Sequence, residues 1–374
     1  MKIKLTSVIL MFSFIFALIA CDSGSSPGST TDHLPGSSNL DKGLYFVGEV
    51  AAQAKYWKVI NNNITEYDLE KNATNSHAYS IVINTGNIYI GGSFWNSGNK
   101  ACYWTVSGNS TPVRHNLNPS DSITRSNVNS LAATGNDIFL AGYYDKNGDG
   151  NPIPAYWDKT GTVFFLPIPE GTAGEATGIV IAAYNTFYIS GYYNYGTSSG
   201  KACCWKVSGS EVKRIDLTSP SVFAITKGIS VSPAGVFMVG GHGEIRLFKN
   251  YACYWSFEEG VSTFHPLTNT YSTMACGNAI IEDNGIYASG CYAPDFKGQK
   301  PYYWIPTGSG YINTVEGEAF AIARDSIGNT HFAGYNDAGS AYTPSACYWD
   351  HLGVKHDLNT SNSHSYAYGM AIVE

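Results

Sequence analysis

The tetrapeptide Ala101-Cys102-Tyr103-Trp104 recurs along the chain with variations. Seven versions are present, and each ends in a tryptophan: Trp57, Trp104, Trp157, Trp205, Trp255, Trp304 and Trp349. Successive tryptophans are separated by 45 to 53 residues. A repeat of this length, built from short runs that alternate apolar and polar residues, is typical of a β-propeller with one four-stranded blade per repeat. The sequence therefore predicts an all-β fold.

Residues 78–117 show how one repeat is expected to fold. Four short runs suit strands A, B, C and D of an antiparallel meander, with turn residues between them: Ala78–Ile83, Ile88–Gly92, Ala101–Val106 and Val113–Leu117. Cys102 and Trp104 are two residues apart and share one face of strand C. We expect the tryptophans to pack between neighbouring blades, and the glycines that end strand B to allow close backbone approach. These glycines are Gly48, Gly92, Gly142, Gly191, Gly241, Gly290 and Gly334.

The two ends of the repeat region are complementary. The first repeat begins directly with a B-type strand at residues 43–48, and the chain finishes on an A-type strand at residues 367–373. The final strand would complete the first blade and remove the open sheet edges. The sequence thus predicts a seven-bladed β-propeller of four-stranded antiparallel blades, closed by the C-terminal strand joining the first blade.

The N-terminus has the features of an export signal. Lys2 and Lys4 precede a run from Val8 to Ala20 that is apolar apart from Ser13. The run ends in Leu18-Ile19-Ala20-Cys21, which resembles a bacterial lipobox. The resemblance implies a lipoprotein signal peptide at residues 1–20 and lipidation of Cys21.

The resulting mature protein would be held at a membrane by its lipid. Residues 21–40, rich in Ser, Gly, Thr and Pro, are interpreted as the lipidated cysteine and a flexible tether, and residues 41–374 as the propeller. We expect an exported, monomeric protein that is anchored to a bacterial membrane, on the periplasmic face or the cell surface. The lipid is the expected membrane contact. An ordinary cleaved signal with an incidental cysteine is the alternative.

The repeats loosely resemble the bacterial extracellular repeat family named for its His-Ala-Phe signature. The shared elements are a strand ending in Gly, a Gly-containing loop, and then Ala-x-x-Trp. Here the signature is Ala-Cys-Tyr-Trp, so the histidine is absent. The resemblance covers roughly residues 43–374 and implies a fold but no particular activity.

A candidate calcium loop runs from Asp145 through Asn147 and Asp149. It fits the start of a D-x-N-x-D-G motif, which offers oxygen ligands around a Gly turn. Tyr156 stands where an EF-hand needs a bidentate Glu, so a full EF-hand is excluded. A looser Ca²⁺ site and a plain turn both stay open. The sequence indicates no required cofactor.

The cysteines fall into two groups. Four occupy the same position in separate repeats and are interpreted as small buried thiols: Cys102, Cys203, Cys253 and Cys347. Cys276 and Cys291 flank a hairpin that turns at residues 283 and 284, and that symmetry places them opposite each other. A disulfide between them is one hypothesis, which suits an exported protein, and a pair of thiols is the other.

The B–C loops are rich in aromatic residues. An aromatic, polar-rimmed face would suit sugar stacking or protein contact, whereas the alternative is that many of these rings pad the blade edges. The residues are Phe94, Trp95, Tyr143, Tyr144, Tyr192, Tyr193, Tyr195, Phe248, Tyr251, Tyr292, Phe296, Tyr335 and Tyr342.

No catalytic constellation is visible. The histidines are scattered, and Glu318, Arg324 and Asp325 do not define a carboxylate pair, although they could face the channel. The A strands instead show apolar and small residues: Ile81, Ala132, Ile179, Ile229, Ala279, Ala321 and Ala371.

Composition also bears on the partner. The chain has a formal charge of −7 and no Lys/Arg clusters, which disfavours nucleic acid. We therefore expect a binding module for a protein or glycan that uses the face formed by the B–C and D–A loops. The alternatives are a glycan hydrolase or lyase with its site at the channel mouth, and a structural subunit of an envelope complex.

Overall fold

The described part of the chain consists of strands, turns and irregular segments. The computed structural model describes residues 40–71, 75–117, 125–145, 150–183, 185–194, 200–217, 219, 223–244, 249–258, 260–268, 273–282, 285–293, 298–313, 315–337, 343–359 and 361–374, with the side chains of 244, 249 and 273–282 left out. Within these ranges no helix has the length and apolar character needed to cross a membrane. The predicted signal peptide and Cys21, together with nearly all of the tether, lie outside them.

The strands form seven separate four-stranded antiparallel sheets, one per blade. Blade 1 contains β28 (Ser365–Val373), β1 (Gly43–Val50), β2 (Gln53–Ile60) and β3 (Asn63–Asp68). Blade 2 contains β4 (Ser76–Asn84), β5 (Asn87–Trp95), β6 (Asn99–Ser107) and β7 (Val113–Asn116). Blade 3 contains β8 (Arg125–Thr134), β9 (Asp137–Asp145), β10 (Ile153–Asp158) and β11 (Val163–Phe165). Blade 4 contains β12 (Gly174–Ala183), β13 (Thr186–Tyr193), β14 (Lys201–Ser208) and β15 (Glu211–Asp216).

The remaining blades follow the same order. Blade 5 contains β16 (Phe223–Ser232), β17 (Gly235–Glu244), β18 (Lys249–Glu258) and β19 (Val261–Pro266). Blade 6 contains β20 (Thr273–Glu282), β21 (Gly285–Tyr292), β22 (Lys300–Ile305) and β23 (Gly308–Tyr311). Blade 7 contains β24 (Glu316–Arg324), β25 (Thr330–Asp337), β26 (Ser345–Trp349) and β27 (Lys355–Asp357). In each blade the four strands correspond in order to A, B, C and D.

The last strand closes the ring, as predicted. β28 pairs with β1 in antiparallel register from Gly43↔Val373 to Val50↔Ser365. The terminal strand therefore supplies the strand A that the first repeat lacks. The seven-bladed β-propeller predicted from the repeat is confirmed.

The repeated tryptophans pack between blades. Trp104 is fully buried in a cluster that joins its own blade to Tyr45, Val47 and Tyr56 of blade 1. Trp57 is fully buried in the cluster that contains Tyr348 of blade 7. Burial of so large a ring at each junction is a major source of stability, because an aromatic side chain removes about 150–250 Å² from water.

The strand-B glycines allow the inner strand to approach. A Cβ on Gly92 would lie 1.9 Å from the carbonyl oxygen of His77, and Gly142 and Gly334 show the same clash with their own inner strands. In blade 5 the residue with this clash is Gly240. The prediction of Gly241 was one residue out, because Gly240 is the residue that pairs just before the irregularity in β16.

A β-bulge interrupts the inner strand of every blade. In six blades a single residue is left unpaired immediately after the residue that faces the strand-B glycine: Tyr368, Tyr79, Asn129, Thr177, Lys227 and Phe320. Blade 6 has a longer irregularity between residues 275 and 279. A bulge changes the direction of the side chain it carries, so it can point a residue away from the sheet.

The irregularity in blade 6 changes the register at Cys291. Close to the turn the pairing is the predicted one, with Ile281 opposite Ile286. Beyond the irregularity Met274, instead of Cys276, lies opposite Cys291. The side chain of Cys276 is outside the described residues, so the disulfide stays a prediction.

The four cysteines at equivalent positions are buried, as predicted. Cys102, Cys203, Cys253 and Cys347 each have no exposed surface. Burial raises the pKa of each thiol well above its ordinary value. These groups therefore remain protonated and behave as small apolar side chains.

Candidate functional site

The bulged residues converge on a cavity at the centre of the ring. The six single bulge residues line it, and its volume is about 270 Å³. Each of them is the fourth or fifth residue of its inner strand. Glu175, the second residue of β12, and Tyr192, near the end of β13, also line the cavity. The cavity is thus displaced towards the face that carries the D–A and B–C loops.

One wall of the cavity is aromatic. The Tyr368 ring lies 5.2 Å from that of Tyr79 and 5.1 Å from that of Phe320, measured between centroids. These rings come from blades 1, 2 and 7, which are neighbours across the closure. Burial, reinforced by the Glu49 carboxylate, raises the pKa of the Tyr79 and Tyr368 phenols. Both hydroxyls therefore stay protonated and can donate hydrogen bonds at physiological pH.

The opposite wall carries charge. Burial raises the pKa of the Glu175 carboxyl, while a hydrogen bond from Tyr192 and the nearby Lys227 ammonium act in the other direction. A buried carboxyl with a displaced pKa and a charged neighbour in a cavity is a marker of a functional site. This group can accept a hydrogen bond when it is ionised and donate one when it is protonated.

Hydroxyl and amide groups fix the polar wall. The hydroxyl of Thr177 lies 3.1 Å from that of Thr226 and 3.2 Å from that of Ser190. The Asn129 amide donates to the carbonyl of Ala176, at 2.8 Å. Because these bonds join blades 3, 4 and 5, the polar wall is held in one arrangement before any ligand arrives.

The mouth of the cavity is braced by a buried carboxylate. Glu49 on β1 contacts Nδ1 of His77 on β4, and it accepts a hydrogen bond from the Tyr368 hydroxyl at 3.4 Å. The His77 ring in turn stacks on Tyr79, with centroids 5.9 Å apart. These contacts tie both termini of the propeller to blade 2 and set the position of the aromatic wall.

The apolar residues singled out on the A strands pack largely away from the cavity. Ile179 and Ile229 pack in the cores between blades. Among the members of that apolar set whose side chains are described, Ile81 alone reaches the cavity; the side chain of Ala279 lies outside the described residues. The polar residues that line the cavity lie two to four positions before these apolar residues in the same strands. A small or β-branched residue stands directly before each of them, as in Ala78-Tyr79 and Ala176-Thr177, and this is the sequence signal that could have located them.

The polar residues suggested for the inner strand of blade 7 have other roles. The Arg324 guanidinium lies 4.4 Å above the ring of Tyr287, and its Nε donates to the carbonyl of Gly328. Asp325 accepts hydrogen bonds from the backbone and side chain of Asn329. Arg324 and Asp325 therefore stabilise the A–B turn of blade 7 and do not line the cavity.

The predicted aromatic loop residues divide between packing and exposure. Phe94 is buried beneath the guanidinium of Arg114, whose central carbon lies 3.8 Å from the ring centroid. Tyr144 is buried and packs edge-on against Phe165. Trp95, in contrast, is 53% exposed. Phe94 and Tyr144 therefore fill space at the blade edges, which was the alternative to a role in ligand contact.

The tyrosines next to the inner strands lie nearer the cavity. Tyr192 lines it, and Tyr335 packs between Phe320 and Tyr366. Tyr143 is half-buried, and burial together with the neighbouring Glu175 raises the pKa of its phenol.

Three other tyrosines pack on strands further from the axis. Tyr193 donates to Asp216, Tyr292 packs on Tyr302, and Tyr251 stacks on His242. Four further predicted residues lie outside the described ranges: Tyr195, Phe248, Phe296 and Tyr342.

The candidate calcium loop is described only in part. Asp145 ends β9, is almost fully buried, and accepts a hydrogen bond from the backbone N–H of Gly150 at 3.2 Å. Asn147 and Asp149 lie outside the described residues. Among the residues that are described, no three His, Cys, Asp or Glu side chains are grouped so as to hold a metal ion. The calcium site stays a prediction.

Comparison with known proteins supports the fold. The chain is similar to a puromycin-hydrolysing peptidase of Mycobacterium tuberculosis (TM-score 0.51, 10% identity, 76% of this chain and 46% of that one). It is also similar to the acylaminoacyl peptidase of Pyrococcus horikoshii (TM-score 0.50, 10% identity, 86% and 52%). A third similar structure is the β-propeller domain of the Trilobed protease from Pyrococcus furiosus (TM-score 0.50, 11% identity, 86% and 93%).

These likenesses concern the propeller alone. The chain spans about half the length of the two peptidases, and the identities are too low to carry an activity across. No protein-family model matches the chain, and no curated protein matches it. The resemblance to the His-Ala-Phe repeat family stays a prediction.

Proposed function

We propose that the propeller is a binding module that holds one sugar residue of a glycan in its central cavity. The observation that carries the proposal is the pairing of two unlike walls: the rings of Tyr79, Tyr368 and Phe320 face a wall with Glu175, Lys227 and hydroxyl groups. A volume of about 270 Å³ suits a single small unit better than a large ligand.

The two walls match the two surfaces of a sugar. A pyranose ring presents an apolar C–H face, which packs on aromatic rings, and an edge of hydroxyls that donate and accept hydrogen bonds. Glu175 and the Asn129 amide offer such partners. Because the polar wall is already fixed by bonds between blades, little conformational entropy is lost on binding.

Binding is favoured over hydrolysis by the number of carboxyl groups. Glycoside hydrolysis by the common mechanisms needs two carboxyls on opposite sides of the scissile bond. Among the described residues that line the cavity, Glu175 is the one carboxyl. Glu49 is nearby but is engaged by His77 and Tyr368. These facts support recognition without turnover.

The propeller would act at the surface of a bacterial membrane. Lipidation of Cys21 would anchor the chain, and the composition of residues 22–40 is typical of a flexible tether. Cys21→Ala should release the protein from membrane fractions into the soluble fraction, and continued membrane association of this variant would contradict the anchor.

The binding proposal is tested on the purified full-length chain in detergent. A glycan array identifies the ligand, and titration calorimetry then compares Glu175→Gln and Tyr79→Ala with Trp95→Ala, whose ring is exposed on a B–C loop. We expect losses of about tenfold or more for the two cavity variants, since a hydrogen bond to a charged group contributes about 1.5–3 kcal/mol.

Three results would contradict the proposal of a glycan-binding module. Equal affinity in Glu175→Gln and the parent would move the site elsewhere. Release of shortened glycan during incubation would establish an enzyme. Capture of an envelope protein without any glycan binding would establish a protein-interaction module.

A further inference from the structure

A second cavity lies between blades 4 and 5, at the end of the ring that carries the A–B and C–D turns. Its volume is about 630 Å³, and it has no lining residue in common with the central cavity. Two lysines and two aromatic rings define it: Lys206, Lys213, Tyr188 and Phe257. We call this cavity the lysine groove.

The two lysines are directly opposite each other on adjacent strands. Lys206 on β14 pairs in register with Lys213 on β15. Like charges at such positions repel and destabilise a sheet. Within the ranges the structure describes, neither ammonium forms an ion pair with Glu211, the carboxylate among the lining residues. Arg214 also lines the groove, and its guanidinium is engaged by the Tyr193 ring and the Asp216 carboxylate.

Blade 1 shows what this position looks like when it is closed. Lys58 directly follows its repeat tryptophan, as Lys206 does, and each lysine pairs with a tyrosine of strand B. Lys58 is buried, and its ammonium donates to Oδ1 of Asn109 in the next blade at 3.1 Å. The charge is therefore satisfied from within the protein.

The C–D turn differs in blade 5. Trp104 pairs with Arg114 and Trp255 pairs with Phe264, so the turn of blade 5 is one residue shorter than that of blade 2, and it contains Gly260. A Cβ at Gly260 would meet nothing within 4 Å. Gly260 has no side chain to offer the Lys206 ammonium, and the space beside it is open.

We propose that the lysine groove binds an oxyanion, a carboxylate or sulfate, carried on a ring-shaped body. The anion would accept hydrogen bonds from both ammonium groups, which removes their mutual repulsion. The ring would pack against Tyr188 and Phe257, whose centroids are 5.9 Å apart. Acidic sugars and aromatic acids both fit this description.

Four small molecules test the proposal and distinguish the two candidate ligand classes, acidic sugars and aromatic acids. Titration calorimetry at low ionic strength compares glucuronate with glucose, and benzoate with benzyl alcohol, on the full-length chain. We expect at least one acid to bind and both neutral partners to fail, with affinity falling as salt rises. Tighter binding of glucuronate would identify a sugar acid, and tighter binding of benzoate an aromatic acid.

Matched variants locate the site. Lys206→Gln and Lys213→Gln should each lower the affinity for the acid about tenfold or more, and Lys201→Gln, an exposed lysine at the other end of β14, should not. Unchanged affinity in Lys206→Gln and Lys213→Gln, or an equal loss in Lys201→Gln, would overturn the proposal.

Glu175→Gln separates this proposal from that for the central cavity. It should leave binding of the acid unchanged, because Glu175 belongs to the central cavity alone. A loss of acid binding in that variant would place the acid in the central cavity and refute the lysine groove.

Discussion

Replacing two equivalent tryptophans by phenylalanine should have unequal effects on stability. Trp205 and Trp349 occupy the same position in blades 4 and 7, and both are fully buried. The indole N–H of Trp205 donates to the carbonyl of Pro167 at 2.9 Å. The indole N–H of Trp349 is buried without an acceptor in the described part of the chain.

The magnitudes follow from that difference. The loss of ring contacts is similar at both positions and cancels in the comparison. Trp205→Phe additionally gives up a hydrogen bond with a net value of about 0.5–1.5 kcal/mol. Trp349→Phe removes an unsatisfied donor whose burial costs about 1–3 kcal/mol. Trp349→Phe should therefore be less destabilising than Trp205→Phe by about 1.5–4.5 kcal/mol.

Equilibrium urea unfolding, followed by far-UV circular dichroism, provides the measurement. The comparison requires that both variants and the parent unfold with the same dependence on urea concentration, so that the midpoints report stability. If Trp349→Phe proved as destabilising as Trp205→Phe, the assignment of an unsatisfied donor in blade 7 would be refuted.

Three further predictions concern the closure, the thiols and the cavity. Gly48→Ala places a Cβ 1.8 Å from the carbonyl oxygen of Tyr366 and should lower the free energy of unfolding, measured by urea titration, by about 3 kcal/mol. Gly135→Ala meets open space, but its φ of +54° disfavours a side chain, so it should lower the free energy of unfolding by about 1–2 kcal/mol. The Cys102 thiol and its three equivalents should resist iodoacetamide in the native protein and react after unfolding, as mass spectrometry would show; rapid native labelling would contradict their burial. Burial raises the pKa of Glu175 above its ordinary 4.5, so the folded state holds this proton more tightly than the unfolded state. Its contribution to stability is therefore greatest at low pH and is lost as pH rises through the raised pKa, and Glu175→Gln should remove that component from the pH dependence of the urea midpoint.

The fold was predictable because its signals are local and repeated. Each blade has its own tryptophan, and the offset between residues 43–48 and 367–373 defines how the ring closes. Neither feature depends on details of long-range packing. The register of each hairpin near its turn could likewise be read from the turn, as the pairing of Ile281 with Ile286 shows.

The cavity was not predictable from alternation alone. A period of two assigns every second residue of a strand to the same face, but one bulged residue reverses that assignment for everything beyond it. This is why Thr177 lines the cavity while Ile179, two residues further along the strand, packs between blades. The bulge depends on how the inner strand meets the strand-B glycine, which is a contact between distant residues.

The seven repeats separate what the fold requires from what it leaves free. The strand-C tryptophan is present in all seven blades. The strand-B glycine faces the backbone of the inner strand, which leaves no room for a side chain. The bulge position, in contrast, carries Tyr, Asn, Thr, Lys or Phe, although it interrupts the pairing at the same place in six blades. A position whose geometry is constant and whose chemistry varies can be used for recognition without cost to the ring.

The same reasoning applies at the junctions between blades. Lys58 and Lys206 each follow a repeat tryptophan, yet Lys58 donates to Asn109 of the next blade whereas Lys206 faces a groove lined by Gly260. The difference lies at a C–D turn, which is one residue shorter in blade 5 than in blade 2. Since such a turn lies at the blade edge, it can vary while the tryptophan and the sheet pairing beneath it are kept, and this separation would allow one ring to carry both of the proposed binding sites.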